Sequence, residues 1–109
     1  MDLKTLEAKA EKALVFLHEK AGEHAEARAQ ADHLSDWVKV EKSRVMGLYT
    51  ALSAAAAEAE ALRHPDYAKA LEAVRIARKH WYEIQFKREA AKAFIDAFQT
   101  VSANSRNNV

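Results

Sequence analysis

One heptad register runs from Leu3 to Leu62 without a stutter. With Leu3 at position a, the a series reads Leu3, Ala10, Leu17, His24, Ala31, Val38, Val45, Leu52 and Ala59. The d series reads Leu6, Ala13, Lys20, Ala27, Leu34, Glu41, Leu48, Ala55 and Leu62. His24, Lys20 and Glu41 are the polar interruptions. A repeat of seven lays its apolar residues along one side of an α-helix, whereas a strand would show a period of two. The spacing predicts one long helix over about residues 2–63, ~90 Å in length at about 1.5 Å per residue.

Pro65 ends that stretch, in Leu62-Arg63-His64-Pro65-Asp66-Tyr67. Proline suits the first position of a helix, where its missing N–H would be unpaired anyway, and Asp66 then lies where the helix dipole favours a negative charge. The residue before a proline is pushed out of the helical region, so His64 is the turn or cap residue. A turn of two or three residues makes the flanking helices antiparallel neighbours. Beyond it the heptad resumes with Tyr67, Val74, Trp81, Arg88, Ile95 and Ser102 at a and Ala70, Ala77, Ile84, Ala91 and Phe98 at d. A second helix over about residues 65–103 follows. Gly22 and Gly47 are the chain's two glycines, too few for the tight turns of a sheet protein or for a phosphate loop, and Gly47 is read as a close-packing position. The expected fold is all-α: an elongated antiparallel helical hairpin or coiled coil in one domain, residues 1–103, with a flexible polar tail over 104–109.

The two expected helices differ in length. The second, ~55 Å long, would reach back along residues 26–62 and leave 3–21 without a partner. Two arrangements meet that need. The first helix stays straight and the hairpin self-associates, most simply as a dimer; or the chain bends near Gly22 or near Asp32–Ser35 into a three-helix bundle. The unbroken register and the helix-forming run Glu26-Ala27-Arg28-Ala29-Gln30-Ala31 favour the straight form. The second helix also carries apolar residues off its seam at Ile76, Tyr82, Phe86, Ala90, Ala93 and Ala97, and two stripes on one helix call for two partners. The residues expected to carry self-association are Leu3, Leu6, Leu14, Phe16 and Leu17, with Ile76, Tyr82 and Phe86 as the second face.

Catalytic and metal chemistry find little support. Cysteine is absent, which removes thiol nucleophiles, disulfides and cysteine-ligated metals. His18, His24, His33, His64 and His80 are never four residues apart, and none stands in a Glu-x-x-His or HExxH pattern. His24 on the seam reads as a polar break that sets register, or as a pH-sensitive contact in an oligomer. Ser35, Ser43 and Ser53 lack an adjacent oxyanion loop, and Glu58/Glu60 and Asp32/Asp36 fall on solvated helix faces. No enzyme, metal or cofactor is expected.

Charge is uneven along the chain. The formal net charge is +1, yet residues 67–109 hold eight basic side chains against four carboxylates. Arg75, Arg78, Lys79, Lys87 and Lys92, interleaved with Trp81, Tyr82 and Phe86, give the alternative function: a nucleic-acid accessory protein whose cations meet phosphates while aromatics stack on bases. The N-terminus has no uninterrupted apolar stretch, and the run Ala51–Ala57 is far shorter than the roughly 20 residues that span a bilayer, so a cytoplasmic protein without membrane contact is expected.

The stretch LRHPDYAKALEAVRIARKHWYEIQFKREAAKAFIDAFQTVSANSR resembles small all-helical proteins carried by tailed phages and prophages, in which a short proline-containing turn joins two long helices. The resemblance implies a viral accessory protein acting in the bacterial cytoplasm through a host or phage protein, and it assigns no functional residue. Together the expectations are of a non-enzymatic helical interaction module with a protein partner.

Overall fold

A computed structural model describes residues 2–107, and every regular element in it is helical. Three α-helices follow one another: α1 (Leu3–Met46), α2 (Ala54–Arg63) and α3 (Pro65–Asn107), with a 3₁₀ turn at Gly47–Tyr49 between the first two. The chain is therefore all-α with a helical-hairpin plan, and the first expected helix is in fact two.

α1 starts on a cap. Asp2 Oδ1 accepts the Thr5 N–H at 2.8 Å, and the Asp2 carbonyl accepts the Leu6 N–H at 3.1 Å, pairing donors that a helix N-terminus otherwise leaves open. The helix then runs through Gly22 and through Asp32–Ser35 without interruption, so neither place divides it into two helices. Strong helix formers on both sides outweigh the roughly 1 kcal/mol that one glycine costs.

The break comes at Gly47 instead. A side chain added there would meet no atom within 4 Å, so this glycine is not the close-packing position expected of it. Its backbone stays at negative φ, and the helix ends by tightening into the 3₁₀ turn. Glycine followed by Tyr49 and Thr50 makes three poor helix formers in four residues, and Ser53 then opens α2 in an extended conformation, its hydroxyl accepting the Ala56 N–H at 3.2 Å. The expected register fails at that point: Leu48, Leu52, Ala55, Ala59 and Leu62 are all exposed, while Ala57 and Ala61 are buried.

The second turn is the expected one. His64 is extended, α3 begins at Pro65, and the Asp66 N–H donates to His64 Nδ1 at 3.1 Å. α3 continues to Asn107, so residues 104–107 of the expected tail are helical and 108–109 lie outside the described residues. Because the chain leaves α1 after Met46, α1 and α3 have 44 and 43 residues, and the expected mismatch in length disappears.

The packing divides into two units. In the unit formed by Glu26–Trp81, the buried apolar side chains are Ala27, Ala31, Val45, Ala57, Ala61, Ala70 and Val74, with Val45 and Ala61 wholly enclosed. Cross-links between helices reinforce it. Lys42 Nζ meets Glu58 Oε1 at 2.7 Å, Arg44 bridges Glu41 at 3.1 Å and Asp66 at 2.6 Å, and Arg78 donates to Ser35 Oγ at 2.9 Å. The Arg28 guanidinium lies 5.6 Å from the Trp81 ring centre, within range of a cation–π contact.

In the unit formed by Met1–Ala25 and Tyr82–Val109, two antiparallel helical segments carry the packing among the described residues. Ala10 and Ile84 are buried, and Leu6, Ala13 and Leu17 are half-buried opposite a seam of Ala91, Ile95 and Phe98. Residues 3–21 thus have α3 as their partner, which removes one of the two reasons for expecting association.

Candidate interaction surfaces

The heptad seam consumes part of the set expected to associate. Leu6 and Leu17 are half-buried on it, whereas Leu3 and Leu14 are exposed and Phe16 is half-buried beside it. Ile76, Tyr82 and Phe86 all point to solvent, at 56%, 43% and 66% exposure. Ile76 belongs to the Glu26–Trp81 unit; Tyr82 and Phe86 belong to the other.

From Tyr82 onward the outward side of α3 carries a continuous apolar stripe. Tyr82, Phe86, Ala90, Ala93 and Ala97 succeed one another by three or four residues, the spacing of neighbours on one helix face, and all five are exposed. Scattered exposed apolar residues are ordinary on a soluble protein, whereas an aligned row of them on one helix face is a distinct apolar surface.

A groove opens beside that stripe, between the two helical segments of the same unit. It is an open trough of about 640 Å³. Ala13 and Ala91, half-buried on the seam, form its floor, Phe16 and Phe94, both half-buried, flank it, and Ala90 of the stripe also lines it. Lys9, Lys12 and Lys87 stand exposed at its edge, no carboxylate lines it, and none of the three lysines makes an ion pair among the described residues. A smaller depression of about 420 Å³ on the other side of Phe16 is lined partly by Glu11, Glu19 and Lys12 and so has mixed charge. Phe94 and the lysines at 9 and 12 were not among the residues singled out from the sequence. The signal for Lys9 and Phe94 was there, since Lys9, Phe16, Lys87 and Phe94 all occupy position g, the flank of the seam, whereas Lys12 falls at c.

The expected basic face is dispersed. Arg75 is committed to Glu72 through Nε at 2.9 Å, and Arg78 to Ser35. The shared hydrogen bonds hold the Glu72 carboxyl below its ordinary range and push the Arg75 guanidinium up. Lys79, Lys87 and Lys92 are exposed, but at heptad positions f, g and e they point in different directions around α3. No single groove or strip collects them.

Among the described residues no group of three His, Asp or Glu is placed to hold a metal ion. No described helix is long and apolar enough to cross a membrane. Comparison with protein families, with characterised proteins and with solved structures finds no match for this chain.

Proposed function

We propose that the protein is a non-enzymatic helical interaction module that associates with a second copy of itself through the outward stripe of α3. The observation that carries this is the alignment of Tyr82, Phe86, Ala90, Ala93 and Ala97 on one exposed helix face. Its composition is graded: two large aromatics at one end and three alanines at the other. A two-fold antiparallel pairing of two such helices would set the aromatics of each copy over the alanines of its partner, large against small, which is the self-complementarity that a closed dimer requires. The alanines would let the two backbones approach, and the aromatics would bury most of the area.

Sedimentation equilibrium from low to high micromolar protein tests the proposal. The wild-type chain is expected to reach a dimer, and Phe86→Glu or Ala93→Glu, both at exposed positions, to weaken the association at least about tenfold by burying a charge in the contact. Leu52→Glu, exposed in the other unit, should leave it unchanged. A wild-type monomer throughout the range, or a dimer indifferent to Phe86→Glu, overturns the reading.

A further inference from the structure

We infer that the lysine-edged groove beside Phe16 and Phe94 is a docking site for a short acidic amphipathic helix of a partner protein. The inference rests on the interaction-module reading but uses a neighbouring surface that meets the α3 stripe only at Ala90. Shape comes first. The lining residues run from Lys9 to Phe16 on α1 and from Lys87 to Phe94 on α3, about two helical turns on each side, or ~10 Å. Two antiparallel helices with small residues along the line between them, Ala13 and Ala91, leave a trough in which the ridge of a third helix fits, its apolar side chains reaching the two phenylalanines. An enclosed tunnel would suit an extended acyl chain; this groove is an open channel between two helices.

Charge then selects the occupant. Three ammonium groups at the edge with no carboxylate among them favour a helix whose apolar ridge is bordered by Asp or Glu, and disfavour one bordered by Lys or Arg. Arg88, next to Lys87 and half-buried on the seam, adds to the same sign: its Nε is buried without a hydrogen-bond partner. The depression on the other side of Phe16, where Glu11 and Glu19 accompany Lys12, offers no such selection.

The test uses the full chain and a fluorescent synthetic peptide of about four turns, with leucines at i, i+3 and i+7 and glutamates beside them, against an isomer with lysines in place of the glutamates. Anisotropy titration is expected to show the glutamate peptide binding at least about tenfold more tightly, with a preference that shrinks as salt is raised. Lys12→Glu combined with Lys87→Glu, both at exposed positions, should reverse the preference, and Phe94→Ala should weaken binding of the glutamate peptide. Equal binding of the two peptides, or no response to the double charge reversal, overturns the inference. So does flotation of the protein with phosphatidylglycerol vesicles when neither peptide binds, which would assign the lysines to a lipid surface. Repeating the titration with Phe86→Glu separates the two surfaces: a variant that no longer self-associates is still expected to bind the peptide, and a loss of both together contradicts an independent groove.

Discussion

The two units of this chain share a helical repeat and differ in what they do with their side chains. The Glu26–Trp81 unit has three helices, a row of enclosed small apolar residues and polar ties that cross from one helix to another, Lys42 to Glu58, Arg44 to Asp66 and Arg78 to Ser35. The unit of the two chain ends has a seam two helices wide, in which Ala10 and Ile84 are the buried apolar residues among those described, while Leu14, Val15 and Phe86 remain more than half exposed. A third helix makes the difference. α2 covers what a two-helix seam cannot, and where it is missing the same kind of sequence retains apolar surface for something else. Enclosed packing is concentrated in one unit and exposed apolar surface in the other, the division expected if interaction surfaces are drawn from less self-sufficient parts of a fold.

The same substitution made once in each unit tests this contrast with the largest effect. Val45 is wholly enclosed and Val15 is 52% exposed. Val45→Ala is expected to cost about 2 kcal/mol in urea unfolding followed by circular dichroism, from lost apolar burial and the cavity left behind. Val15→Ala should fall within about 0.5 kcal/mol, as surface changes usually do. Equal losses would show that Val15 is covered in solution, and a loss that grows with protein concentration would place it in a contact between copies.

Where the sequence was legible and where it was not follows from the same physics. The seam was readable because a/d periodicity is a direct record of burial: from Leu6 to Val45, and again from Tyr67 to Ser102, each a and d position is buried or half-buried, Lys20, Glu41 and Arg88 included. Pro65 and His64 were readable because proline restricts its own backbone and that of its neighbour. The break at Gly47 was hidden by leucines at 48, 52 and 62 that continue the heptad by residue type while pointing to solvent. Alanine compounds this, since a run such as Ala54–Ala57 fits any register and says nothing about which face is inside. The outward stripe at Tyr82 and Phe86 was visible as apolar residues off the seam. The groove was not, because it needs residues from both helices, and an α1 that was read as ending at residue 63 was aligned with the wrong part of α3.

Ser53 holds the next largest effect, because it decides where α2 begins. Its hydroxyl accepts the Ala56 N–H, and Ala57 and Ala61 of the short helix it opens are both buried. Ser53→Ala should cost about 1 kcal/mol, the usual value of an N-cap oxygen. Ser53→Asp, which keeps an acceptor at the helix N-terminus, should recover most of it. If instead α2 were a passive spacer, both variants would unfold at the wild-type urea midpoint, and the idea that the third helix gives this unit its self-sufficiency would fail.

The smallest effect concerns the start of α3, and its sign follows from linkage. Hydrogen bonds from Arg75 hold Glu72 below its ordinary value of 4.5. A carboxyl that is more acidic folded than unfolded adds stability above its unfolded pKa and loses that contribution as the pH falls through the folded value. Arg75→Gln should therefore lower stability slightly at neutral pH, have no effect in acid where Glu72 is protonated in both states, and return the Glu72 titration, followed by carboxyl-carbon NMR, toward 4.5. Both side chains are exposed, so added salt should shrink the neutral-pH difference. A Glu72 titration indifferent to Arg75 would mean that the pair is open in solution and its guanidinium available to an external anion, which would reopen the basic face of α3 as a phosphate contact.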